Sequence, residues 1–473
     1  MFAERIRSSN GFTKLVVCLA VFTDVFLYGL IVPVLPFALR ERLGIPDDDI
    51  QKWNSILLGT YGAAILVGSL VFGWLGDRTR SRQTPFVLGL IVLGGATLLF
   101  ALGSSITVLM IARVLQGAST AIVFTVGFAL LFDKVGKHQI GDAMGWTSMS
   151  LSTGLFLGPV MGGVLYERLG YLMVFVPAIA AIGVEIVLRS LVIEEDRYSK
   201  SSPLLEDSVT TSYGTAVYGS DRVDGRLSAE ALLPPPSPES PPTHSVNLIA
   251  ARSPILKLLS SPRLLVAMLG LFTLNSFTTA FEGVLPVYVH ELFGVKSTKA
   301  SLIFMTMTIP MLLSPVIGKL VDRVGAKWPA TIGFAIAVPA LILQRLVIHD
   351  ELADRIILIA LLSIFGCGVA MAMPPMMTEV TFAVEEIEEK NPGIFGPYGA
   401  YSQAYGLTNA AFAGGALTGP LYAGFLRKAF GWPIMALFMG CLSALVMVLV
   451  MLISGGPLTY RRKPQKYQIV GEN

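Results

Sequence analysis

The chain has 473 residues, 53% of them hydrophobic and only 14% charged, with a net charge of +3. Soluble domains carry about 25% charged residues, so this chain lacks the polar surface to face water on all sides. The small, dispersed charge gives no nucleic-acid signature, and Cys18, Cys367 and Cys441 have neither disulfide nor zinc spacing and read as small buried hydrophobes.

Twelve apolar runs follow in chain order, near residues 14–39, 53–76, 84–104, 106–132, 141–166, 171–193, 264–290, 298–320, 328–348, 355–382, 398–427 and 431–455. Each approaches or exceeds the ~20 residues that cross a bilayer. In lipid the backbone polar groups must be satisfied within each segment, so helices are expected. The alternation of a membrane β-barrel is absent. The first run contains Asp24, Pro33 and Pro36 and is longer than a signal-peptide core, so it reads as a membrane helix. Lysines and arginines in the short connections divide 16 against 8, which places both termini in the cytoplasm.

Residues 196–262 differ in character, with SYGTAVYGS and LLPPPSPESPP among serines, prolines and acids. Nothing there can bury a core, and a disordered cytoplasmic linker is expected. The chain then divides into a six-helix half (1–195), the linker (196–262), a second six-helix half (263–455) and a cytoplasmic tail (456–473).

The two halves echo one another. GWLGDRTRSR at 73–82 matches GKLVDRVGAK at 318–327, each between the second and third helix of its half. GLFLGPVMGG at 154–163 matches GALTGPLYAG at 415–424, each in the fifth helix, and Gly170 then falls on Gly431. The expected fold is an all-α integral membrane protein, with twelve transmembrane helices in two six-helix pseudo-repeats around a central cavity. Parallel repeats of this kind are a transporter architecture, with the substrate near the midplane.

Several residues carry the chemistry. Gly73 permits a tight turn and close helix approach, and Asp77 beside Arg78 can meet a cation or the positive end of a helix dipole. Gly318, Asp322 and Arg323 repeat them, so a gate at the membrane exit is expected on both sides of the pseudo-repeat. Gly154, Gly158 and Gly162 share one helix face and suit close packing, while Pro159 kinks the helix. Asp24 lies ~15 Å along the first helix. A charge at that depth costs at least ~2.5–3.5 kcal/mol, so it should face a cavity or a partner, and it is the candidate to exchange a proton. Glu282 in the seventh helix is a second such acid, expected nearer the outside. Arg113 keeps its proton and must be paired or hydrated, and it is a candidate to stabilise ionised Asp24. Asn409 and Gln403 are candidates to line the cavity. Glu185 and Arg189 read as an ordinary i,i+4 pair, and Glu379, continuous with EEIEE at 385–389, as a solvated face.

These motifs resemble the major facilitator superfamily. The loop Gly73–Asp77–Arg78–Arg82 looks like its signature between helices two and three, and Arg113 with Gln116 and Gly117 like its second motif. Gly154, Gly158, Pro159, Gly162 and Gly163 look like its antiporter motif, which points to the twelve-helix drug:proton antiporters. Asp24 before VPVLP and Glu282 before VLPVY resemble the vesicular monoamine transporter-like branch. GVAMAMPPMM in helix ten has no acid where the vesicular carriers have one, and Asn409 stands where they have an aspartate. The resemblance implies alternating-access, proton-coupled efflux of a small amphipathic compound such as a drug or secondary metabolite. Metabolite uptake or facilitated diffusion, and a transporter-derived sensor, remain the alternatives. The expected partners are a small-molecule substrate, protons and the lipid bilayer of a plasma, vacuolar or vesicular membrane, with no cofactor and a monomeric chain. Nucleotide-binding loops, nucleophile elbows and metal spacings are absent, so an enzyme is not expected.

Overall fold

A computed structural model describes residues 9–79, 81–191, 254–294, 297–395 and 399–455. Nearly all of the linker and the tail 456–473 therefore lie outside the described residues.

The first half holds α1 (Asn10–Glu41), α2 (Asp47–Arg78), α3 (Gln83–Leu102), α4 (Ile106–Val135), α5 (Ile140–Leu169) and α6 (Val176–Leu191). A short helix, Pro254–Leu259, leads into α7 (Pro262–Phe293). Next comes α8, built from Ser297–Thr308, a 3-10 stretch Ile309–Leu313 and Ser314–Val324. The chain continues as α9 (Lys327–Leu343), α10 (Leu352–Lys390), α11 (Tyr401–Phe430) and α12 (Trp432–Ile453). Among the described residues, 11 helices are long and apolar enough to cross a membrane. The exception is α11, which has the length but carries Ser402, Gln403, Thr408 and Asn409 among glycines and alanines. Those polar side chains serve the contacts described below.

Local signals set the helix ends. The hydroxyls of Ser9, Ser105 and Ser261 accept N–H bonds from Phe12, Val108 and Leu264, satisfying donors at three helix starts. Helices α5 and α11 both stop at a glycine with φ +84°, Gly170 and Gly431, a conformation that costs other residues a steric clash. The repeat thus extends to the geometry of the terminator.

Packing follows the same pseudo-symmetry. Within the halves α1 packs on α5 and α7 on α11, and between them α2 packs on α11 and α5 on α8. Because the helices alternate in direction, both described chain ends fall on one face, here termed the terminal face; the opposite one is the far face. Near the far face Tyr166 of α5 donates to Glu41 of α1, and Arg427 of α11 pairs with Glu291 of α7. Each half therefore ties its own central pair together there.

A central carboxylate and a two-sided clamp

Asp24 sits near the middle of α1 and is 2% exposed. The hydroxyl of Thr120 on α4 donates to its Oδ1 at 2.8 Å, while Oδ2 has no hydrogen-bond partner. Thr120 also meets the hydroxyl of Tyr61 on α2 at 3.0 Å, and the Tyr61 ring stacks on Tyr28 with centroids 5.2 Å apart. Directly beyond Thr120, α4 is wound as a π-helix over Val123–Gly127. Such insertions recur at functional sites, and nothing in the sequence announces this one.

Arg113 is fully buried on α4 but forms no ion pair with Asp24, contrary to the pairing the sequence suggested. Its guanidinium lies over the rings of Phe100 (4.9 Å) and Tyr61 (5.6 Å), and its NH1 reaches Gln116 Oε1 at 3.4 Å. Tyr61 therefore touches both charged residues and couples them indirectly. Glu282 on α7 is half-buried, has no cation partner among the described residues and lies within electrostatic reach of Tyr28. The two acids thus sit on opposite halves with the Tyr28–Tyr61 stack beside them. Asn409 donates to Ser69 of α2 at 2.9 Å and lines a small cavity of about 30 Å³ with Phe124, Tyr405 and Met377. That volume holds about one water, so the centre is nearly closed.

The terminal face is clamped twice. Asp77, at the end of α2, accepts the backbone N–H groups of Ser402 (2.9 Å) and Gln403 (2.8 Å) at the start of α11. Asp322, at the end of α8, accepts those of Gly141 (2.7 Å) and Asp142 (2.8 Å) at the start of α5. In each case a carboxylate of one half caps a helix of the other, where free N–H groups and the dipole both favour negative charge. Gly73 allows the approach, since a Cβ there would lie 2.8 Å from the Ser402 carbonyl oxygen. A Cβ on Gly318 would run into the backbone of Gly141.

The basic residues of the sequence motif need correcting. Arg78 is exposed and stacks on Trp74 at 4.0 Å, and Arg323 is exposed, so neither reaches the clamp. The guanidinium that does is Arg82, fully buried, which donates to Ser402 Oγ at 2.7 Å and pairs with Asp133 at 2.8 Å. Glu379 is likewise not solvated: it is fully buried against Arg263 of α7 (2.5 Å) and accepts the N–H of Gly455. Further links on this face join Lys137 to Glu385 at 2.8 Å and Lys14 to Asp142.

The glycines of α5 pack against α1 as their spacing suggests. A Cβ on Gly154 would lie 3.0 Å from the Phe22 carbonyl oxygen, and one on Gly158 2.8 Å from the Gly29 Cα. Gly162 abuts Leu30, and the Pro159 ring lies against Gly29. Gly415 and Gly419 of α11 abut Phe272 and Ser276 of α7 in the same way, with Pro420 against Gly283. Gly163 does not belong to this face, for a Cβ there meets nothing within 4 Å. Gly158→Val is therefore expected to cost about 1–3 kcal/mol by overpacking, whereas Gly163→Ala is close to neutral. Thermal unfolding of the two variants in detergent checks the contrast, and equal melting temperatures would contradict it.

Comparison with known proteins gives the class. Residues 17–389 match the family model of the Major Facilitator Superfamily, and the chain belongs to that superfamily. It is 32% identical over 469 residues to the MFS-type transporter ppzB of Metarhizium rileyi, covering 95% of this chain and 96% of the relative. Over 36% of the chain it is 30% identical to the quinolone resistance protein NorA of Staphylococcus aureus, covering 41% of that protein. Over 34% it is 31% identical to the probable vesicular acetylcholine transporter-B of Danio rerio, covering 33% of that protein. The fold matches the crystal structure of the human organic anion transporter MFSD10 with a TM-score of 0.63 at 18% identity, over 93% of this chain and 99% of that one. The protein is a multi-pass membrane transporter and not an enzyme.

Proposed function

We propose that the protein exports a small amphipathic organic compound in exchange for protons, by alternating access between the two halves. The observation that carries this reading is Asp24: a carboxyl buried in mid-membrane, one oxygen bonded only to a hydroxyl and the other to nothing. Burying an unpaired carboxylate is expensive, so the group holds a proton or a ligand in the arrangement seen. Glu282, Tyr28 and Tyr61 supply an acid and aromatic faces, which suit a compound with both polar and apolar parts. The relatives named for quinolone resistance and vesicular transport agree with export, although each matches only about a third of the chain.

The two aspartate clamps then serve as the gate. They hold one face shut and must break for the other arrangement to form, which is the differential contact that alternating access requires. The terminal face is assigned to the cytoplasm by the excess of basic residues in its connections. Protease added to sealed, right-side-out vesicles should leave residues 196–262 intact, and cleavage there reverses the assignment. Export itself is tested in proteoliposomes equilibrated with ethidium, an amphipathic probe, at equal concentration inside and out. An imposed pH gradient should drive efflux against the growing ethidium gradient, and collapse of the pH gradient should abolish it. Ethidium efflux that ignores the pH gradient favours facilitated diffusion.

A further inference from the structure

Glu185 is the acid that the account so far leaves unused. The sequence presents it as half of an i,i+4 pair with Arg189, but the structure buries both completely inside the first half. Neither carboxyl oxygen of Glu185 has a hydrogen-bond partner among the described residues, although the charge of Arg189 is within electrostatic reach. The hydroxyl of Thr23 on α1 interacts with this carboxyl and is likewise buried with no hydrogen-bond partner among the described residues. Thr23 directly precedes Asp24 in the chain, and Glu185 is within electrostatic reach of Asp24.

The surroundings of Glu185 are sparse. It is packed by α1 and α3. From α1 it meets Thr23 and Asp24; α3 contains no titratable residue at all; and its own helix supplies Arg189 one turn on. Arg189 lies over the Phe86 ring at 4.8 Å, and its carbonyl accepts from Gln83 at the first turn of α3, so it marks the terminal-face end of this polar seam. An ionised carboxylate with neither oxygen hydrogen-bonded is costly in such a site, so in this arrangement Glu185 carries its proton.

We propose that Glu185 is a second proton-carrying site, linked to Asp24 through Thr23, so that the exchanged proton crosses the first half from the cavity to the terminal face. The proposal rests on the antiport reading of Asp24 and names the exit that reading lacks. The steps balance. Opening of the terminal face lets water take the proton from Glu185, leaving a carboxylate that the fixed charge of Arg189 stabilises. The carboxyl O–H of Asp24 then breaks as water admitted to the opened seam accepts that proton and passes one on to Thr23 Oγ, while the Thr23 O–H breaks to protonate Glu185. Asp24 ends ionised, Glu185 neutral and Thr23 unchanged.

The test uses the full-length protein in liposomes and follows the infrared carbonyl band of protonated carboxyls during a pH titration. Asp24→Asn and Glu185→Gln are expected each to delete one buried carboxyl band. Glu185→Gln should also move the midpoint of the Asp24 band by about one pH unit, as expected for interacting carboxyls. Thr23→Val should keep both bands and slow proton uptake after a pH jump about tenfold or more. If Glu185→Gln fails to fold, Glu185→Asp, which keeps the carboxyl on a shorter stem, should shift the band instead of deleting it. A carboxyl spectrum unchanged by the Glu185 substitution overturns the proposal, as does a Glu185 band whose loss leaves the Asp24 midpoint in place. Coupled bands without pH-driven ethidium efflux would instead sink the antiport reading and leave the proton site standing.

Discussion

Asp77→Ala should shift the protein away from its closed terminal face by about 3–6 kcal/mol, roughly 100- to 10,000-fold in population. The variant loses two hydrogen bonds from a charged group to helix N–H donors, each worth about 1.5–3 kcal/mol, together with the dipole interaction. It also removes the carboxylate 3.6 Å from buried Arg82, which keeps Asp133 and Ser402. Asp322→Ala removes the matching pair of bonds on the other side, but that aspartate is more open to water, so its loss should matter less. Cysteine labelling at position 408, a buried threonine of α11 at the edge of the central cavity, measures the effect from the terminal side. Faster labelling of Asp77→Ala than of Asp322→Ala, and of both than of the parent, is the expected order. Equal labelling of all three would remove the clamps from the gating mechanism.

The second large effect concerns coupling. Asp24→Asn mimics the protonated state permanently, so pH-driven accumulation should fall to the level of empty liposomes while ethidium binding survives. The amide keeps the shape of the carboxyl and can still hydrogen-bond with Thr120. Glu282→Gln should act otherwise, weakening binding about tenfold or more while retaining part of the pH dependence, because Glu282 is half-buried with no cation partner among the described residues. Full uphill transport by Asp24→Asn would end the assignment of that residue, and identical behaviour of the two variants would merge their roles.

Much of this architecture was legible in the residues because its signals are periodic or repeated. Apolar length placed the helices, the two loop motifs placed Asp77 and Asp322, and the four-residue glycine spacing marked the close-packing face of α5. Repetition also foretold which features would recur in the second half, as Gly415, Gly419 and the terminator Gly431 show. Side-chain destinations were less visible, because a helix face can turn to lipid, a neighbouring helix or the other half. Arg78 and Arg82 look interchangeable in sequence, yet one stacks on Trp74 at the surface and the other is buried in the clamp. Glu185 and Arg189 have the spacing of an ordinary i,i+4 pair and are fully buried without a hydrogen bond between them. Tyr61 and Thr120, which hold the centre together, belong to residue types too common in helices to stand out. The π-helix of α4 leaves no mark in composition at all.

The central claim is that protonation of the buried carboxyls decides which face of the bundle is open. Distances between paired spin labels report this without knowledge of the substrate. One pair would sit on the terminal face at His138 and Asn391, another on the far face at Leu102 and Leu352, all exposed and outside the clamps. The three native cysteines would be replaced first. Pulsed distance measurement across a pH series in liposomes should show one pair lengthening as the other shortens. Asp24→Asn should stay at one end of that range at every pH. Distances in the parent protein that do not change with pH, or an Asp24→Asn variant that follows the same curve as the parent, would contradict the account.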